Sequence, residues 1–289
     1  MREFVVATES NCDMDPIFLE ENGVCVIPHY YTIEDIEYGD GKELTVEEFY
    51  NALREGKNAA TMASNPAVIL ERFEEYAKQG KDILFISFSS ALSCGYNNIF
   101  NGAREIMDNH PEMTIKVIDT LSASLGEGIM IRKALNMKKQ GRTLEETAAW
   151  IEQHTQNLNV QFTVDDLNFL YRGGRLSKTS AVLGSVINIK PILHIDKSGK
   201  LVAIDKIRGR KKSLTTLVDN MEARLGEFKE EQVFIGIVHG DCMNDANFIA
   251  DMIKERFGYT DIEIRPIGPS IGAHSGPGAI GIIFLGEAR

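Results

Sequence analysis

The sequence predicts an α/β protein of two domains: an N-terminal parallel α/β/α sheet and a second α/β domain whose sheet is mixed or antiparallel. Up to about residue 155, short apolar runs of strand length alternate with helix-compatible segments, the pattern of a parallel sheet covered on both faces. Near residue 158 the pattern changes, and Ile189 to Ile195 and Leu201 to Ile207 flank Asp196-Lys197-Ser198-Gly199-Lys200, an antiparallel hairpin signal. The 289 residues also suit two cores better than one. We place the domains at 1–157 and 158–289, with the final segment 268–289 available to a site between them.

Phe4 to Ala7 forms the first strand, and Thr8 to Asp13 leaves its carboxyl end as a polar loop. Pro16 suits the first turn of a short helix that ends near Asn22-Gly23, and Val24 to Ile27 is the next strand. Tyr30 to Glu43 alternates around the turn signal Tyr38-Gly39-Asp40-Gly41. Thr45 with Glu48 makes a capping box for a helix over Val46 to Arg54.

Asn58 to Pro66 reads as a loop of small and hydroxyl residues. Asn65 and Pro66 suffice to start the following helix, which Gly80 stops, so Thr61 and Ser64 have no capping duty. Thr61 is left to an internal turn bond or a ligand bond.

The central stretch is Ile83 to Phe88, a strand that breaks into Ser87, Ser89, Ser90 and Ser93 before a helix from about Asn97 toward Asn109. An open α/β sheet binds ligands at the carboxyl ends of its strands, where loop amides and helix N-termini favour an anion. Ser93 serves as a helix cap on the plainest reading and as a ligand donor on the other.

Thr114 to Ile118 is another strand, followed by helices over about 123–140 and 143–155, parted by Gly141. In the second half, Val160 to Val164 reads as a strand and Asp165 to Tyr171 as a short helix. Arg172-Gly173-Gly174-Arg175-Leu176-Ser177 forms a turn with two arginines. After the hairpin come a helix from about Lys212 to Leu225, the strand Val233 to Val238, a helix from about Asp245 to Arg256 and the strand Ile262 to Ile267. Gly268 to Gly278 reads as a glycine-rich loop that leads into a last strand, Ala279 to Leu285.

Charge and composition exclude several functions. A net charge of −11 opposes non-specific binding to nucleic acid or anionic membranes. No apolar run reaches membrane-spanning length, and the N-terminus reads as a strand too short for a signal peptide, so a cytoplasmic location is expected. Cys12, Cys25, Cys94 and Cys242 are scattered and the histidines dispersed, which predicts neither a metal nor a disulfide. The glycine-rich tail lacks the lysine of a phosphate-binding loop and leads into a strand instead of a helix, and no cofactor is expected.

Two candidate constellations remain open. His274, flanked by small residues, can reach a ligand, or sit on the surface; with Ser93 or Cys94, and an aspartate such as Asp119, it would make a serine or cysteine hydrolase. The basic run Lys206, Arg208, Arg210, Lys211 and Lys212 is a solvated face or, through Arg208, Arg210 and Lys211, a docking surface that Arg172 and Arg175 could extend.

Four segments then stand together in order: Thr61-Met62-Ala63-Ser64-Asn65-Pro66, Ala91-Leu92-Ser93-Cys94-Gly95-Tyr96, Phe169 to Ser177, and Gly272-Ala273-His274-Ser275-Gly276-Pro277-Gly278-Ala279. Together they resemble the DegV family of bacterial fatty-acid-binding proteins, which includes the binding subunit of fatty acid kinase. The resemblance implies a two-domain DegV-like fold and a buried long-chain fatty acid such as palmitate, stearate or oleate. It implies carboxylate contacts from Thr61 and Ser93, with Gly95, His274 and Arg172 beside them. It also implies presentation of the lipid to a separate kinase subunit that makes acyl-phosphate, with an acyltransferase as a further partner, and no catalysis by this chain. Cys94-Gly95 stands where the family more often has Gly-Thr, and Ser64-Asn65 where Pro-Ser is more usual.

The physical chemistry agrees with that implication. Burying fourteen methylenes at about 0.8 kcal/mol each gives on the order of 11 kcal/mol before binding costs. Burying the carboxylate costs several kcal/mol unless hydroxyls, a helix N-terminus or a nearby cation meet it.

Overall fold

The structure is a computed structural model that describes residues 2–176 and 188–289. Ser177, the last residue of the two-arginine motif, lies outside the described residues. The first half runs β1 (Phe4–Glu9), α1 (Pro16–Glu21), β2 (Cys25–Ile27), β3 (Tyr30–Ile33), β4 (Ile36–Tyr38), α2 (Val46–Arg54), β5 (Ala59–Met62), α3 (Pro66–Lys78), β6 (Asp82–Ser87), α4 (Gly95–Asn109), β7 (Ile115–Asp119), α5 (Leu125–Lys139) and α6 (Leu144–His154). The second runs β8 (Leu158–Thr163), α7 (Asn168–Arg172), β9 (Ile189–Ile195), β10 (Leu201–Arg208), α8 (Arg210–Arg224), β11 (Ile235–His239), α9 (Met243–Phe257), β12 (Ile262–Pro266), α10 (Pro269–Ser275) and β13 (Ile280–Leu285).

The early strands make a four-stranded parallel sheet in the order β2-β1-β6-β7. The later strands make a six-stranded mixed sheet, β10-β9-β8-β13-β11-β12, antiparallel except where β11 meets β12. Outer layers cover both: Ile69, Phe73 and Ile99 from α3 and α4 on the first sheet, and Leu217, Met221 and Ile249 from α8 and α9 on the second. Between the sheets lies α5, whose Leu125, Ile129, Met130 and Ile131 are fully buried. It packs against β1 and β6 on one side and β8, β11 and β13 on the other, so one apolar cluster joins Val6 and Leu84 to Val238 and Ile283. The first half of α5, Leu125 to Ile131, is buried on every side, as a segment covered by two sheets requires.

Thr45 and Glu48 form the expected capping box, each side chain bonded to the other residue's backbone N–H. Asn65 caps α3 by accepting the Ala67 N–H. The helix after Ser93 starts at Gly95, two residues earlier than expected.

Two segments depart from expectation. Thr61 lies in β5, which pairs antiparallel with β3 to form a small three-stranded sheet, and not in a loop. Ala59 and Ala60 give no strand-like apolar run, so pairing with Tyr30 to Ile33 sets the conformation there, a tertiary override of weak local preference. The glycine-rich tail contains the helix α10, with Pro269 in its first turn and a stop at Gly276, whose φ is +74°. Its Gly272 is needed for close approach: a Cβ there would lie 2.8 Å from both the Phe49 ring and the Tyr50 hydroxyl of α2.

Candidate functional site

The carboxyl end of the parallel sheet, the start of α5, the inner face of the six-stranded sheet and α10 enclose a cavity of about 180 Å³. Its apolar wall includes Phe88, Leu92, Val160, Phe162, Ile195 and Ile283. Polar groups come from Thr61, Ser93, His274 and Arg175, and from His29, Asn11, Ser124, Ser270 and Ser275.

Strand pairing aims Thr61 at α10, and its Oγ1 lies 2.8 Å from His274 Nε2. On its other side the His274 ring fits against Gly173, where a Cβ would lie within 2.2 Å of Nδ1. Burial, helped by the charge of Arg175, pushes the His274 pKa down to about 4, so the imidazole is neutral at physiological pH. Ser93 is not the cap of α4, a place taken by Cys94; one residue earlier, it accepts the Gly95 N–H at 3.1 Å, which leaves its own hydroxyl hydrogen as a donor.

Gly95 is not a cavity-lining residue. It lies against Glu9, whose Oε1 would be 2.6 Å from a Cβ at that position, so its small size serves the packing behind Ser93. Arg172 is also absent from the cavity wall: its guanidinium stacks 4.9 Å from the centre of the Phe169 ring. It lines an outer groove of about 310 Å³ together with Lys57, Asn58 and Arg175. Thr61, His274 and Arg175 border both spaces, so the Thr61–His274 pair is the partition between cavity and groove. Arg175 is the cavity's own arginine, and it donates from Nε to Leu92 O at 3.1 Å and from Nη1 to Gly173 O at 2.5 Å.

Sequence reasoning missed a buried acid–imidazole pair beneath Ser93. Glu9 is fully buried at the end of β1, with Oε1 3.0 Å from His29 Nε2. Its Oε2 accepts the Ser87 hydroxyl at 2.8 Å and the Phe88 N–H at 2.9 Å. The available signal was a carboxylate at the carboxyl end of the first apolar strand, followed by Ser10, whose hydroxyl accepts the His29 N–H. Asp13 was missed as well. It accepts the Gly268 N–H at 2.9 Å and the Ser124 hydroxyl, tying the starts of α5 and α10 together. Burial pushes its pKa up to about 7 against the opposing effect of those bonds. Glu127 on α5 has both carboxylate oxygens buried without a partner among the described residues, and burial with the Glu9 and Asp13 charges pushes its pKa well up.

A hydrolytic triad is not assembled. His274 bonds Thr61, and among the described residues no hydrogen bond joins it to Ser93, Cys94 or Asp119. Asp119 accepts the Leu121 N–H of its own loop and the Ser90 N–H of the loop after β6. Within the basic run, Arg208 and Lys211 are exposed, with the Lys211 ammonium 5.4 Å from the Phe248 ring centre. Arg210 is committed internally, to Asp245 at 2.8 Å and Asp165 at 3.4 Å. Among the described residues no helix is long and apolar enough to cross a membrane.

The family model described as "Uncharacterised protein, DegV family" matches residues 3–287. A DegV domain-containing protein of Clostridium perfringens is 40% identical over 291 residues, covering 100% of this chain and 99% of its own. Among solved structures, a DegV family protein from Thermus thermophilus described by its fatty acid binding superposes with a TM-score of 0.87 at 26% identity, over 99% of this chain and 100% of that one. A DegV family protein from Ruminococcus gnavus, described with vaccenic acid, superposes with a TM-score of 0.86 at 25% identity, over 97% of this chain and 99% of that one.

Proposed function

The chain belongs to the DegV family, and on that basis we propose that it binds a long-chain fatty acid in the cavity between its two sheets. The carboxylate takes the polar end, where Ser93 and Thr61 donate hydroxyls and the neutral His274 turns a ring nitrogen toward the same partition. The acyl chain takes the apolar wall. The observation that carries this reading is the shared border: a mostly apolar cavity meets a groove bearing Lys57, Arg172 and Arg175 at the Thr61–His274 pair. A head group held there is reached from the groove, whose cations suit a phosphate donor.

By the same reading the chain is a cytoplasmic carrier. It presents the carboxylate to a separate fatty acid kinase for acyl-phosphate formation, and an acyltransferase uses the product in lipid metabolism. Arg208 and Lys211 are the exposed cations available to dock the kinase, whereas Arg210 serves the fold.

Native mass spectrometry of the purified protein, repeated after denaturation and organic extraction, tests the proposal. A mass excess equal to a long-chain fatty acid, reduced in Thr61→Ala and Ser93→Ala, is expected. A native mass equal to the chain alone, unmoved by added palmitate, would overturn it.

A further inference from the structure

The inner face of the six-stranded sheet carries two glycines in neighbouring rows, and their surroundings differ. The register aligns Gly236 of β11 with Ile283 of β13, and Val238 with Gly281. On the far side Gly281 faces Phe162 of β8. Alternation along β13 puts Ala279, Gly281 and Ile283 toward α5 and the cavity, and Ile280, Ile282 and Phe284 toward α8 and α9.

At Gly236 the missing side chain is replaced by one from the facing layer. A Cβ there would meet Leu125 Cβ and Cδ1 of α5, both at 3.1 Å. At Gly281 the three nearest atoms all belong to the same sheet: Phe162 Cβ at 3.1 Å, Gln161 O at 3.3 Å and Val238 Cγ2 at 3.4 Å. Gly281, Phe162 and Val238 all line the cavity. A glycine inside a central strand weakens it, and one common reason for finding it there is the close approach of a ligand to the backbone.

We propose that Gly281 is a specificity-determining residue: the acyl chain runs across the inner face of the sheet over the notch between Phe162 and Val238, and the size of that notch selects the length and shape of chain accepted. This rests on the fatty-acid reading above. Chains that extend past Gly281 depend on the notch, and chains that end before it do not.

The test is competition binding of myristate, palmitate and stearate to the delipidated full chain, displacing a fluorescent fatty acid, in wild type, Gly281→Ala and Val238→Ala. The Cβ added in G281A should lower the stearate-to-myristate affinity ratio by about tenfold, the effect of roughly two methylenes. Removing the Val238 methyl groups should raise the same ratio. If G281A folds and weakens all three ligands by one common factor, the glycine serves cross-strand packing and the proposal fails; an unchanged ratio defeats it equally. If G281A does not fold, V238A decides, since a ratio equal to wild type overturns the proposal. Wild type that binds none of the three overturns the carrier reading itself, a failure visible before either variant is compared.

Discussion

Thr61 and His274, 213 positions apart, meet at 2.8 Å between Oγ1 and Nε2. The contact depends on β5 pairing with β3 and on α10 packing over both strands and α2. Thr61→Val keeps the shape and removes the hydroxyl. Fatty-acid affinity should fall about tenfold to a hundredfold, as for loss of a hydrogen bond to a charged group, while the melting temperature changes little because Thr61 is only half-buried. Fluorescent displacement with a parallel melting curve checks both parts.

Asp13 and His274 give stability opposite pH dependences. The folded pKa of Asp13 is about 7, raised from 3.8, so between those values the folded state binds more protons than the unfolded. Its contribution is full below about 3.8 and declines as pH rises to about 7. His274, lowered to about 4 from 6.5, contributes fully above 6.5 and loses that contribution as pH falls toward 4. Asp13→Asn should gain in melting temperature relative to wild type as pH rises from 4 to 7. A constant difference across that range would contradict the assignment.

Glu9 holds His29, Ser87 and the Phe88 amide at once. An amide in its place keeps one acceptor and turns an N–H toward groups that donate. Glu9→Gln should cost about 2 to 4 kcal/mol in urea unfolding, the range for a buried network with one partner wrongly matched. A loss under about 0.5 kcal/mol would mean the network is not held as described.

Reversing charge within the basic run should separate docking from folding. Arg208→Glu and Lys211→Glu should leave the melting temperature within a degree or two, since both side chains are exposed, and should reduce co-purification with a kinase subunit. Arg210→Glu sets a third acid beside Asp165 and Asp245 and should lower the melting temperature clearly, whatever it does to docking.

Where the chain carries strong local signals, the sequence was enough. The capping box at Thr45, the Asn65-Pro66 start of α3 and the apolar run into Ser93 all appear where the sequence put them. The segments that build the polar end of the cavity were harder to read. β5, Ala59 to Met62, and the Gly- and Ser-containing α10 lack an apolar run of their own, and their conformations are set by neighbours distant in sequence. Thr61 stood out as a hydroxyl without a capping duty and His274 as a histidine among small residues, but their bond to each other was not legible. Glu9 at the end of the first apolar strand carried a signal, but His29, in the link after Pro28, carried none that would pair the two. Arg175 displaced Arg172 as the cavity arginine because the turn after α7 reverses the chain at Gly173 and Gly174, a geometry that identity alone does not fix.

The position of α5 has a consequence for how the molecule comes apart. It is covalently part of the first half of the chain, yet much of its apolar surface rests on β8, β11 and β13 of the second. Cutting the chain near residue 157 would strip one side of that helix and the inner face of the six-stranded sheet together. Neither piece should therefore be soluble alone, and thermal unfolding of the whole should be a single cooperative transition. Two fragments made together should regain the native form by association, with lipid retention recovered only in the reassembled pair.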